Sequence, residues 1–211
     1  YKNLYLKLKD SLEKISNKNT YVKKEFEQKG ISIVDFAKKL LGQIVFIYFL
    51  QKKGWLGVEK DEKGRFNPWG SGPKNFLRKL FDKEIVPYDN FFNDILEPLF
   101  YEALATERDD DYYSRFNCKI PFLNGGLFEP INDYDWAGTE ILLDNSIFEH
   151  ILDTFDRFNF TVKEDEPLEK EVAIDPEMLG KVFENLIEEN IRKGQGAYYT
   201  PRAVSYTHLT L

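Results

Sequence analysis

Ser32-Ile33-Val34-Asp35-Phe36-Ala37-Lys38-Lys39-Leu40-Leu41-Gly42-Gln43-Ile44-Val45-Phe46-Ile47-Tyr48 is the stretch that decides the fold class. Its apolar residues recur at helical spacing and cover much of the circumference, so this helix belongs at the centre of a helical core. Ser32 followed by Asp35 has the spacing of a capping box, with Asp in the acidic position. Lys52-Lys53-Gly54 supplies a basic last turn and a glycine stop. The most apolar run, Leu40 to Leu50, contains Gly42 and Gln43 and is far shorter than the roughly 20 residues a membrane span needs. It reads as a buried core helix, and no membrane partner is expected.

Working outward, residues 1–30 form an N-terminal amphipathic helical segment. Tyr1, Tyr5, Leu8, Leu12 and Ile15 predict one helix ending near Asn17-Lys18-Asn19. On the other side, residues 57–73 are a loop rich in glycine, proline and charge. After Pro73 a short helix should turn Phe76, Leu77, Leu80 and Phe81 inward. Residues 90–105 are helical in pattern, with Pro98 expected to kink the helix or start a second one at Leu99. Asn124-Gly125 between apolar flanks is a tight-turn signal. Ser146 and Glu149 have the capping-box spacing for a helix carrying Ile147, Phe148, Ile151, Leu152 and Phe155. Phe158, Phe160 and Val162 alternate, as do Val172 and Ile174, so a small two-stranded element is expected there. Asp175 and Pro176 then open a last helix that Gly194 stops.

The charge balance bears on partners. A stand-alone nucleic-acid binder carries a basic surplus, whereas this chain of 211 residues has a net charge of −7, so most of it should not be a DNA-gripping surface. A local basic face stays open. The single cysteine, Cys118, rules out an intramolecular disulfide and any multi-cysteine zinc site. With no signal-like N-terminus, the cytoplasm is the expected compartment.

The segment Gly194-Gln195-Gly196-Ala197-Tyr198-Tyr199-Thr200-Pro201 is the sharpest motif. Its physics alone gives a loop and then a helix start, with Thr200 able to cap and Pro201 suited to the first turn. Such a helix N-terminus can receive an anion, although plain caps are commoner than ligand sites. Together with Leu179-Gly180 and Phe183-Glu184, the loop resembles the segment leading into adenine-specific DNA methyltransferases whose tenth motif precedes the others. Phe36-Ala37-Lys38-Lys39-Leu40-Leu41-Gly42, Phe49-Leu50-Gln51-Lys52-Lys53-Gly54-Trp55 and Leu123-Asn124-Gly125-Gly126-Leu127-Phe128 are similar to the helical region ahead of it. That order, over about residues 31–203, resembles fused Type IIG restriction–modification enzymes and related phage-exclusion methyltransferases.

The resemblance implies S-adenosylmethionine as cofactor, with Gly196, Tyr199, Thr200 and Pro201 as the cofactor-binding residues. It also implies double-stranded DNA as substrate, adenine flipped out of the helix for methylation, and a fused or associated nuclease domain. The expected fold is mainly α: a helical scaffold with a small two-stranded β element, ending at the start of a Rossmann-like methyltransferase domain. Residues 31–174 would be the connecting domain and 175–204 the leading helix and cofactor loop. Residues 205–211 (Ser-Tyr-Thr-His-Leu-Thr-Leu) read as a non-native tail, and the chain as an inactive fragment.

Absences sharpen this expectation. Neither a glycine-rich strand-to-helix turn nor an Asn-Pro-Pro-aromatic loop is present, so no catalytic residue is assigned. Asn67-Pro68-Trp69 lacks the second proline and reads as a loop turn. Glu27 with Lys29 has no partner carboxylate for a nuclease site, and Asp109-Asp110-Asp111 cannot all face one ion, so no metal is expected. Lone His150 reads as structural and Cys118 as a packed thiol. The rival from another class is a non-catalytic helical interaction module of a phage-defence complex.

Overall fold

The computed structural model describes residues 2–123 and 126–157. Among them are five α-helices: α1 (Lys2–Lys18), α2 (Thr20–Gln28), α3 (Ile33–Lys52), α4 (Phe76–Phe81) and α5 (Asn145–Phe155). A two-stranded antiparallel sheet pairs β1 (Tyr112–Tyr113) with β2 (Cys118–Lys119). The described part is therefore mainly helical with one small sheet. The expected strands at 158–162 and 172–174 and the helix from Asp175 lie outside the described residues. None of the described helices is long and apolar enough to cross a membrane.

Helix α3 is the hub, and α1, α4 and the 126–128 turn all pack against it. Ala37, Leu41 and Ile47 are wholly buried, and Phe36, Leu40, Ile44 and Tyr48 nearly so. Its stop is as read: Gly54 takes φ +69°, a conformation that glycine adopts without the steric cost of a Cβ. Ser32 occupies the N-cap position, but its side chain makes no capping bond; only its carbonyl accepts, from the Phe36 N–H at 2.9 Å.

The N-terminal segment differs from expectation in two ways. It contains two helices, because the Asn19 side chain accepts from the N–H groups of Tyr21 and Val22 and starts α2 one residue after α1 ends. The buried stripe of α1 is Leu4, Leu8, Leu12 and Ser16, while Tyr5 and Ile15 are only half-buried. A narrow i, i+4 line is what one-sided packing on α3 and α5 requires, and the larger flanking side chains stay at its edge.

Pro98 is the N-cap of a second helical segment that begins at Leu99, as expected, although the backbone stays helical across the junction. The backbone runs helically through residues 91–104, widened into π-type turns at Phe92–Leu96 and Leu99–Leu104. The Glu97 N–H reaches back five residues to the Phe92 carbonyl. Proline removes the N–H that would serve the Asp94 carbonyl, and the Arg115 guanidinium replaces it at 2.6 Å. The start is capped reciprocally. Asn90 Oδ1 accepts from the Asn93 N–H, and the Asp94 carboxylate accepts from the N–H groups of Asp89 and Asn90. Burial pushes the Asp94 carboxyl up, but these donors outweigh it and hold the group below the usual carboxylate range.

Helix α5 buries Phe148, Ile151, Leu152 and Phe155, as its pattern predicts. Its cap is Asp144 rather than Ser146. The Asp144 carboxylate accepts from the Ser146 N–H at 2.8 Å, and Ser146 holds that carboxyl below its usual range. The neighbouring Asn145 side chain turns instead to the Phe91 N–H and the Asp89 carbonyl, which ties α5 to the 91–104 helix. Asp144→Ala is expected to cost about 1 kcal/mol in urea denaturation, and Ser146→Ala less. The reverse order would return the cap to Ser146. At the far end of α5, Arg78 of α4 pairs with Asp153 and Asp156 at 2.8 and 2.7 Å, and the Tyr48 hydroxyl of α3 donates to Asp156 at 2.6 Å. Three helices are clamped at one point.

Aromatic rings fill the interior. Phe36 meets Phe26, Phe92 and Tyr134 with centroids 5.1, 6.1 and 5.6 Å away, and Phe91 meets Phe81, Tyr88 and Phe148. These rings, except Phe81, are core.

Candidate functional site

Of the motifs that carry the family resemblance, the described residues include the α3 stretches and most of the Leu123–Phe128 segment. Gly126–Phe128 is a single 3-10 turn laid on α3. The Lys39 ammonium donates to the Gly126 carbonyl at 2.9 Å, and Gln43 Nε2 donates to the Leu127 carbonyl at 2.8 Å. Phe128 is buried against Phe46 and Phe100, at 5.8 and 5.7 Å. Burial pulls the Lys39 pKa down, and the carboxylates of Glu129 and Asp133 oppose that pull. Two polar side chains on the hub helix therefore grip the backbone of this turn. Asn124 and Gly125 themselves lie outside the described residues.

Beside this turn sits a buried polar cluster with no counterpart in the sequence reading. Glu97 has no solvent exposure, and the Tyr134 hydroxyl donates to its Oε1 at 2.6 Å. Tyr101 packs edge-on to Tyr134 with centroids 5.8 Å apart. Glu97 Oε2 and Gln43 Oε1 are buried without a hydrogen-bond partner among the described residues. Burial raises the Glu97 carboxyl well above the usual range, and Asp94 adds to the rise, against the lowering effect of the Tyr134 bond. Burial likewise raises Tyr101 and Tyr134. Glu97 is fully buried, with Tyr134 2% and Tyr101 8% exposed, so the cluster reads as architecture.

The remaining candidates resolve individually. Asn67 donates its backbone N–H and its side-chain amide to the Glu59 carbonyl, both at 3.0 Å, so Asn67-Pro68-Trp69 is a turn. Asp109-Asp110-Asp111 is a tight turn in which Asp110 and Asp111 take positive φ, and Asp111 accepts from the Phe122 N–H. Among the described residues no group of His, Cys, Asp and Glu could hold a metal ion. Glu27 pairs loosely with Lys23 at 3.9 Å, and the Lys29 carbonyl accepts from Asn132. His150 lies exposed on α5 rather than packed inside, its carbonyl accepting from Thr154. The Cys118 thiol is buried and pushed up to about 12 by that burial, with Glu59 adding, so it is protonated and unreactive at neutral pH. Gly196, Tyr199, Thr200 and Pro201 lie outside the described residues.

Sequence reasoning also missed Arg108, whose guanidinium donates to the carbonyls of Glu102, Thr106, Tyr112 and Ile120. One fixed fork of donors organises the whole connection between the 91–104 helix and β2. A single arginine between acids carries no sequence signal of that role.

No protein-family model matches the chain, and no solved structure matches it. Among curated proteins, the chain is similar to one from Methanocaldococcus jannaschii, named as a type II restriction enzyme and methyltransferase. The two are 33% identical over 183 residues, a match that covers 81% of this chain. The chain spans only 14% of the length of that relative.

Proposed function

We propose that this chain is the helical region of a site-specific adenine DNA methyltransferase of a restriction–modification system. The observation that carries the reading is the 33% identity, over 81% of the chain, to a protein named for both restriction and methylation. The motif order from residue 31 to 203 supports the same reading and is the ground for proposing adenine specificity and the Type IIG arrangement. In this reading residues 31–174 connect to a Rossmann-like methyltransferase domain that begins near residue 175. S-adenosylmethionine supplies the methyl group. The roles assigned are backbone freedom for Gly196, packing for Tyr199, and for Thr200 with Pro201 the start of a helix whose following N–H groups donate, Pro201 itself having none. The 211 residues contain no Asn-Pro-Pro-aromatic loop, so in this reading they transfer no methyl group by themselves. DNA, with an attached or associated nuclease, is the partner, and the compartment is the cytoplasm.

Expression of the complete gene from the genomic locus tests this. Label from S-adenosylmethionine should enter mixed duplex DNA, and nucleoside analysis should find it on adenine. The 211-residue chain should transfer none above a buffer control. Tyr199→Asp in the complete protein should weaken cofactor binding while leaving its melting temperature unchanged. An early stop codon after residue 204, or no label transfer, would favour the non-catalytic module. Label on cytosine would remove the adenine assignment.

A further inference from the structure

The acidic balance of the chain is uneven among the described residues: residues 2–29 hold eight lysines against four acids, and a second basic stretch follows at residues 52–74. Residues 52–74 hold six lysines and arginines, Lys52, Lys53, Lys60, Lys63, Arg65 and Lys74, against three acids, in a chain of net charge −7. Asp61, one of those acids, neutralises Arg65, so the two cancel in that count. It pairs with Arg65 at 3.0 Å and accepts the N–H groups of Lys63 and Arg65, closing a tight hairpin. The other two, Glu59 and Glu62, are exposed.

Within this region two ammonium groups and three rings alternate in space. Lys60 Nζ lies 4.7 Å from the Tyr112 ring centre and 4.9 Å from that of Phe66. Lys119 Nζ lies 5.2 Å from Phe66 and 4.7 Å from Trp69. The sequence around the ladder is Tyr112, Lys60, Phe66, Lys119, Trp69. Backbone pairing fixes it: Lys60 bridges to Phe66, Tyr112 opposes Lys119 in the sheet, and Lys119 exchanges hydrogen bonds with Val58 at 2.9 and 3.3 Å. Cross-strand partners share a face, so the pairing puts ring beside charge.

Neither Lys60 nor Lys119 has a carboxylate partner within ion-pair distance among the described residues. Ring faces hold an ammonium in place without neutralising it. Lys60 and Trp69 are exposed, Trp69 at 42%. A flexible lysine loses rotamer entropy when it binds an anion; here much of that order exists before binding.

We infer that this cation–aromatic ladder is a contact face for the phosphate backbone of double-stranded DNA. The choice of ligand rests on the function proposed above; the charge and the geometry do not. Two positive charges set against ring faces, with no carboxylate partner among the described residues, fit a row of phosphates. They bind it without reading sequence, so the face positions the duplex while another part of the enzyme specifies the site.

The 211-residue chain and a fluorescent duplex of about 30 base pairs and arbitrary sequence test the inference. Binding is measured across a salt series for the parent, the double variant Lys60→Gln/Lys119→Gln, the charge-retaining Lys60→Arg/Lys119→Arg, and Lys14→Gln/Lys24→Gln on α1 and α2. Each lost phosphate contact removes about 0.9 from the slope of log affinity against log salt. The ladder Gln pair should lose about 1.8 of slope and on the order of 10- to 100-fold in affinity near 0.1 M salt. The Arg pair and the α1/α2 pair should keep the parent's slope. The inference is overturned if the parent does not bind the duplex at low salt, if the ladder pair keeps its slope, or if the α1/α2 pair loses as much. Methyl transfer by the complete protein is a separate readout. Duplex binding through the ladder without label transfer sinks the enzyme reading alone; transfer with a salt slope indifferent to the ladder sinks only this one.

Discussion

Phe92→Ala is expected to lower stability by about 3–5 kcal/mol, the range for truncating a fully buried large ring. The side chain has no exposure and sits where three elements meet. Its ring lies 6.1 Å from Phe36 of α3, edge-on, and 6.1 Å from Phe148 of α5 with the planes within 3° of parallel. Those neighbours hold further rings, Phe26 and Tyr134 on one side and Phe91 on the other, so they cannot collapse into the gap without breaking their own contacts. A loss in the upper part of the range follows from that rigidity. Urea denaturation of the 211-residue chain reads the effect, with Trp69→Ala, exposed on the ladder, as a comparison expected near zero to 0.5 kcal/mol apart from its cation contact. A Phe92→Ala loss below about 1 kcal/mol would mean that the aromatic interior relaxes freely and that α5 is not docked through these rings.

The same rings show where sequence legibility ends. α3, α4 and the buried face of α5 follow from periodicity because their apolar residues sit on one chain segment and face one core. The stripe of α1 was displaced by its larger residues: Tyr5 and Ile15 weigh heavily in a hydrophobic pattern, yet the packing line runs through Leu4, Leu8 and Leu12. Asn19 looked like the end of a helix and is the start of another, since one side chain that favours non-helical backbone serves either role. The passage through Pro98 could not be read locally, because the group that satisfies the Asp94 carbonyl is Arg115, distant along the chain. Candidate site residues divide in the same way. Asn67-Pro68-Trp69 and Cys118 were legible as turn and packed thiol from their immediate neighbours. The ladder was not legible: Lys60, Phe66 and Trp69 meet Tyr112 and Lys119 only through the pairing of Val58 with Lys119, and no spacing along the sequence encodes that pairing.

Glu97 supplies the second large effect, and its sign is opposite to that of an ordinary surface acid. A charged carboxylate with one oxygen paired to Tyr134 and the other unpaired at zero exposure would cost several kcal/mol, so the folded state holds the neutral acid. Its folded pKa is therefore raised above the unfolded value of about 4.3. In the window between those two values the folded chain holds a proton that the unfolded chain has released. The stabilising contribution is complete below the unfolded pKa and is lost as pH rises through the folded one, at up to about 1.4 kcal/mol per pH unit. Asp94, Asp61 and Asp144 are shifted downward and act only at lower pH, where their contributions are lost as pH falls through their depressed values. Above about pH 5 the descending slope belongs to Glu97. Glu97→Gln keeps the shape, can still accept from Tyr134 and carries no proton to lose, so its stability should be flat where the parent declines. Tyr134→Phe should carry the decline to higher pH without changing its limiting slope, since removing the one donor to Oε1 raises the folded pKa further. Urea denaturation at half-unit steps from about pH 5 to 8 decides it. A parent curve that stays level, or a Glu97→Gln curve with the parent's slope, would show that Glu97 ionises in the fold and that the cluster has access to water.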